Sequence, residues 1–224
     1  MNITYLELLT KDLVAQRDYY SQVLELPVSL SAERLEVQAG TTNLVFTQAQ
    51  PDFEDAYHFA FNIPENQFSA AADWISARIP LLHDETGKFE FDSANWNSHA
   101  VYFKDTAGNV LEFIARHNLK NTSIDTFDSS QILNVSEIGL SSEDVIAFAN
   151  ELCEQLEISV FKQEPNATFT PVGDDNGLFI LPIKDRIWIP NSGVPAKLLP
   201  VKVLGEANGK QWEVQGVPYK IKMR

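Results

Sequence analysis

The chain has 224 residues, 44% hydrophobic and 11% aromatic, which is enough apolar surface for a substantial core in one domain or two. Its 17 Lys+Arg against 31 Asp+Glu give a formal charge of -14, which repels nucleic-acid phosphates and anionic membranes and argues against either as a partner. The N-terminus MNITYLELLTKDL lacks a basic stretch ahead of a long apolar run, and nowhere do eighteen apolar residues follow one another, so a cytoplasmic protein is expected.

Taken in chain order, the elements repeat. The segment "YLELLTKDLVAQRDYYSQVLEL" from Tyr5 opens as a strand and reaches the turn Lys11-Asp12, which can cap a helix. It continues with Leu13, Tyr20, Val23 and Leu24 at helical spacing. "RLEVQAG" and "TNLVFTQ" then read as strands, and "QAQPDFEDA" as a linker. From His58, "HFAFNIPENQFSAAADWISARI" repeats the pattern around Glu65-Asn66. It is followed by the strands "HAVYFKD" and "NVLEFIA", joined by the turn Asp105-Thr106-Ala107-Gly108-Asn109. After the polar linker "LKNTSIDTFDSSQ", "EIGLSSEDVIAFANELCEQLEI" from Glu137 gives the pattern a third time around Glu143-Asp144, followed by "FTPVG" and "GLFILPI". Its helix carries Cys153, the only cysteine, with no basic neighbour to lower its pKa, which reads as a structural thiol. Beyond Ile183 come short strand runs, LLPVKVL, QWEVQG and PYKIKM, a β-rich stretch that reads as a fourth repeat without its helix.

One residue does not fit its strand. Glu112 sits in the middle of the apolar run NVLEFIA, and burying an unpaired carboxylate is expensive. It must therefore face water, a cation or a metal. Side chains at i and i+2 share a face, so Val110, Ile114 and Arg116 go with Glu112; Ala60 and Asn62 go with His58; Glu7 and Leu9 go with Tyr5.

Two phrases carry a resemblance. Asp12-Leu13 through Tyr19-Tyr20 to Val23-Leu24-Glu25-Leu26 is similar to "D-L-x-x-x-x-x-F-Y-x-x-V-L-G-L". Phe103-Lys104-Asp105-Thr106-Ala107-Gly108-Asn109 to Glu112-Phe113 is similar to "F-x-D-P-x-G-N-x-x-E-F". In this order and spacing they resemble the vicinal oxygen chelate superfamily, which includes glyoxalase I, bleomycin- and fosfomycin-resistance proteins and extradiol dioxygenases. The resemblance covers residues 1–118 well and 132–185 more weakly. It implies an α+β fold of tandem βαβββ units forming a cup-shaped mixed sheet. The expected organisation is two paired units at 1–120 forming the cup, a linker at 121–131, a third βαββ-type unit at 132–185 and a β-rich extension at 186–224.

In such proteins a divalent metal sits at the base of the cup, held by residues of a unit's first and last strands. Carried over, the first-strand positions are Tyr5 and His58, and the last-strand positions are Leu44 or a neighbour in the first unit and Glu112 in the second. His58 and Glu112 match the usual ligands; Tyr5 and Leu44 depart from them, so the ligand set for Zn, Ni, Mn or Fe is incomplete. Glu7 or Tyr5 is the expected third donor. A two-histidine, one-carboxylate iron site would need His99, which strand alternation turns toward the helices. Tyr102 is expected inside the cup, and with Glu112 as the catalytic carboxylate the resemblance implies that Tyr102 or Glu7 moves a proton. Tyr5, Phe46, Asn62, Trp96 and Arg116 are the expected substrate contacts; Trp96 reads either as a wall or as ordinary packing, and Arg116 either as an anion clamp or as a snorkelling side chain. Glu137 stands at the first-strand position of the third unit, which reads as an edge cover or a homodimer interface. His83 and His117 are expected in solvent. The implied function is a glyoxalase-like, metal-dependent enzyme, a lyase or a dioxygenase-like relative, acting on a small molecule. A metal-free binding protein of the bleomycin-resistance type is the alternative, and a scaffold with a vestigial cup is a third reading.

Overall fold

A computed structural model describes residues 1–223. The first unit is β1 (Asn2–Thr10), α1 (Leu13–Asp18, continuing into wider turns at Tyr19–Val23), β2 (Val28–Leu30), β3 (Arg34–Ala39) and β4 (Thr42–Gln48). The second is β5 (His58–Ile63), α2 (Phe68–Ser76), β6 (Phe91–Ser93), β7 (Ser98–Lys104) and β8 (Val110–Arg116). The third is β9 (Asn134–Gly139), α3 (Val145–Leu156), β10 (Phe169–Asp174) and β11 (Gly177–Pro182), and the chain ends in β12 (Val201–Ala207), β13 (Lys210–Gly216) and β14 (Lys220–Met223). Asp12 and Asp144 cap α1 and α3 through the backbone N–H groups of Ala15 and Ala147. At α2 the cap position is Gln67, with no side-chain bond, rather than Glu65-Asn66.

The strands form two seven-stranded mixed sheets, ordered β14-β13-β12-β1-β4-β3-β2 and β10-β11-β9-β5-β8-β7-β6. This corrects the expected pairing of the first two units within 1–120. The second unit joins the third, through antiparallel β5 and β9, and the first joins the C-terminal strands, through antiparallel β1 and β12. The stretch 186–224 is therefore no loose extension: three of its strands complete the first sheet. One hydrophobic core takes residues from both sheets and all three helices, including Leu6, Phe46, Phe59, Phe113, Phe179 and Trp212. No helix among the described residues is long and apolar enough to cross a membrane.

The two sequence phrases meet in space. Asp105, buried in the β7–β8 turn, accepts hydrogen bonds from Gln16 Nε2 (2.9 Å) and Tyr20 Oη (3.2 Å), both in the first unit, and from Asn109 Nδ2 (2.8 Å). It also accepts from the backbone N–H groups of Ala107 and Asn109, closing its own turn. These phrases thus tie the first unit to the second, and the later one also carries Glu112 into the cup. Cys153 is half-buried against the core, and burial pushes its thiol up, as a structural role requires.

Candidate metal centre

Alternation divides the two faces of β5 and β8 cleanly. Phe59, Phe61 and Ile63, with Leu111, Phe113 and Ala115, face the main core, while His58, Ala60 and Asn62, with Val110, Glu112, Ile114 and Arg116, face the cup. In register, Ala60 on β5 is flanked by Glu112 on β8 and Glu137 on β9, and the small side chain of Ala60 leaves room above it. His58, two residues away on the same face, completes a buried trio whose ligand atoms all lie within 4.8 Å of one another. The β5–β9 register shifts between Ala60 and Phe61, so that Ala60 faces Glu137 while Phe61 faces Val135. That bulge re-aims β9: Val135 and Ile138 both face the core, while Glu137 turns into the cup.

The electrostatics suit an ion. His58 Nδ1 lies 3.0 Å from the Val110 carbonyl oxygen, so Nδ1 carries the proton and Nε2 presents a lone pair to the carboxylates. Burial pulls the imidazole down to about 4, against the raising effect of the Val110 carbonyl, which keeps it neutral. Nε2 lies 3.8 Å from Glu112 and 4.0 Å from Glu137, too far for hydrogen bonds. Burial pushes both carboxyls up; the charge of Glu137 raises Glu112 further, whereas Arg116 opposes the rise at both. Arg116 is itself fully buried, bonded through Nη2 to Glu137 and through Nε to Asn62 Oδ1 (3.2 Å). Glu137 is thus the direct partner of the Arg116 guanidinium, while Glu112, which lacks that contact, is the carboxyl pushed well above its usual range. A neutral imidazole and two carboxylates gathered from three adjacent strands are a fitting donor set for Zn, Ni, Mn or Fe.

Above the trio lies a cavity of about 240 Å³, walled by Phe91, Trp96, Tyr102, Phe169 and Trp188. Tyr102 pairs across the strands with Glu112, and burial, followed by the charges of Glu112 and Glu137, holds its hydroxyl well above the usual range. Trp188 lies over His58, ring centroids 4.6 Å apart, on a strap that leaves β11 and crosses the cup. Gly139 makes this approach possible, since a Cβ there would stand 2.5 Å from the indole ring.

Of the expected contacts, Trp96 and Tyr102 line the cavity with His58 and Glu112. Three others do not belong to it. Tyr5 and Glu7 lie on β1 in the other sheet, where the tyrosine donates to its neighbour, and Phe46 is buried in the main core against Tyr20. Their expected place rested on pairing the first unit with the second. Arg116 is neither a clamp nor a snorkelling side chain but the counter-ion beneath Glu137, and Asn62 is its support, also donating to the Asp175 carbonyl. The third candidate donor beside His58 and Glu112 is Glu137 rather than Glu7 or Tyr5. His99 lies on the helix side, against Phe68 and 2.8 Å from His117, and cannot join the trio. His117 is half-buried and paired with Glu65 rather than free in solvent, while His83 is exposed.

No protein family matches the chain by sequence, and neither does any curated protein. Among solved structures, a Bacillus subtilis protein provisionally described as a dioxygenase matches 96% of this chain and 81% of its own, at 13% identity and a TM-score of 0.63. The chain has the vicinal oxygen chelate fold. Lactoylglutathione lyase of Agrobacterium tumefaciens is similar over 50% of this chain and 90% of its own (22% identity, TM-score 0.40), and the fosfomycin resistance protein FosX of Listeria monocytogenes over 50% and 87% (17%, 0.39). Within this vicinal oxygen chelate fold, the sheet of the second and third units carries the trio and the aromatic cavity.

Proposed function

We propose that the chain is a metal-dependent enzyme acting on a small molecule with vicinal oxygens, in the manner of glyoxalase-like lyases. The reading rests on His58, Glu112 and Glu137, three donors converging from adjacent strands at the floor of an aromatic cavity, with the histidine tautomer fixed for ligation. A divalent ion held by them supplies Lewis acidity toward the substrate oxygens. The rest is work for the chain's own groups. Tyr102 keeps its proton and donates a hydrogen bond where negative charge develops. Glu112, whose carboxyl is pushed up, is the group suited to take a proton at the reacting carbon and return it. Arg116 holds Glu137 ionised and oriented, and Trp188 keeps bulk water off the histidine. Iron chemistry with two histidines and one carboxylate is disfavoured by the position of His99.

The second reading is a metal-free binding protein. It is supported by Arg116, which already neutralises one carboxylate of the trio, and by the aromatic walls.

Elemental analysis of protein purified without affinity tag or chelator separates the two. About one equivalent of Zn, Ni, Mn or Fe is expected in the parent, lost in the His58→Ala, Glu112→Ala double variant and in Glu137→Ala. No metal in the parent, even after dialysis against each ion, would overturn the enzyme reading.

A further inference from the structure

The strap over the cup is a narrow hairpin. The Asp185 and Trp188 N–H groups donate to the Ala196 and Val194 carbonyls, Ala196 N–H donates back to Arg186, and Ile187 bridges Pro195. Its tip is fastened by Lys104 Nζ, which donates to the Ser192 carbonyl at 2.8 Å. Arg186 and Trp188, two apart in this extended stretch, both line the cavity. Arg186 differs from the other cation of this region. Arg116 is locked to Glu137, whereas Arg186 has no carboxylate partner among the described residues. It lies 4.6 Å over the Phe169 ring, and its one polar contact is a long one, 3.5 Å from Nη1 to the Thr168 carbonyl. A half-buried guanidinium left unpaired at the mouth of a cavity, in a chain with a net charge of -14, is not explained by folding.

We infer that the strap is the specificity element of this cavity, and that it selects a small, flat, ring-bearing carboxylate whose anionic group pairs with Arg186 while its ring lies among Trp188, Phe169 and Trp96. The inference rests on the reading of this cavity as the functional site and names the ligand class for it. The layout of the cavity sets the orientation. Arg186 lies on the strap over Phe169, whereas Trp188 lies 4.6 Å over His58 at the floor, so the charged end lies at the strap and the ring reaches inward. Planar guanidinium and planar carboxylate match in two parallel hydrogen bonds, which a neutral amide cannot reproduce.

Three probes test the idea: benzoate; benzamide, its neutral isostere; and cyclohexanecarboxylate, with the same charge but no flat ring. Binding is followed by tryptophan fluorescence and calorimetry. Benzoate is expected to bind parent protein about ten-fold or more tightly than either of the others. Arg186→Gln should weaken benzoate by a similar factor and leave benzamide within about two-fold, which also reports that the variant is folded. Arg186→Lys should recover part of the loss, since charge returns without the fork. Equal binding of benzoate and benzamide by the parent, benzoate affinity unchanged in Arg186→Gln, or no saturable binding of any probe would overturn the inference. Run on metal-loaded and chelator-treated protein, the experiment separates the two claims. Arg186-dependent binding in a protein that never holds metal would sink the enzyme and leave the specificity element standing. A metal-loaded protein indifferent to Arg186 would do the reverse.

Discussion

Replacing Glu137 by Gln tests the electrostatics of the floor without changing its shape. Arg116 is fully buried, and of its contacts one goes to Glu137 and one, at 3.2 Å, to Asn62, while Nη1 has no hydrogen-bond partner. Trp96 and Phe161 lie 5.5 and 5.9 Å from the guanidinium, distances at which cation–π attraction is weak. Removing the Glu137 charge therefore strands a buried cation, a change that costs about 3–5 kcal/mol. Glu112 can ionise to replace part of the lost charge, which places the single variant near 3 kcal/mol and a Glu112→Gln, Glu137→Gln double variant near 5 kcal/mol. For a chain of this size the corresponding losses in Tm are roughly 6–20 °C. The assay is urea and thermal unfolding in excess chelator, so that lost metal does not contribute. Replacing Arg116 and Glu137 together by Met should recover most of the stability. A Glu137→Gln protein within about 1 kcal/mol of the parent would refute the assignment of Glu137 as the counter-ion.

Gly139→Ala should push Trp188 off His58, because its Cβ would stand 2.5 Å from the indole; a loss of about 1–3 kcal/mol and greater acrylamide quenching of the Trp188 fluorescence are expected, and unchanged quenching would count against the packing. Asp105→Ala deprives Gln16, Tyr20 and Asn109 of their common acceptor, which should cost about 3 kcal/mol or more in urea titrations while leaving metal content unchanged. Tyr102→Phe should retain the metal and lose turnover by about 10²-fold or more, with stability altered by about 1 kcal/mol; undiminished kcat would remove Tyr102 from the chemistry. Metal uptake should release a proton. Glu112 is pushed above its ordinary value and the ion binds only the carboxylate, so affinity falls as pH falls; calorimetry in two buffers of different ionisation heat reads the proton count, and zero release would contradict a protonated Glu112.

The sequence by itself determined much of this local structure. Caps at Asp12 and Asp144, the Asp105–Asn109 turn and the alternation of β5 and β8 follow from short-range chemistry, and they suffice to put His58 and Glu112 on one face. Which strand edges meet was decided only by the tertiary structure. Sheet edges present the same N–H and C=O groups whatever their sequence, so nothing local indicates that β5 would pair with β9 rather than the first and second units with each other. The error carried Tyr5, Glu7 and Phe46 into the wrong cup. Glu137 was visible as a first-strand residue, aligned with His58, but its orientation depended on a bulge that breaks the period of two between Val135 and Glu137. Trp188 and Arg186 left no periodic signal, because a strap owes its place to what it covers. Side-chain pattern fixes faces over a few residues, and contacts between residues 60, 112, 137 and 188 exist only once the whole chain has closed on itself.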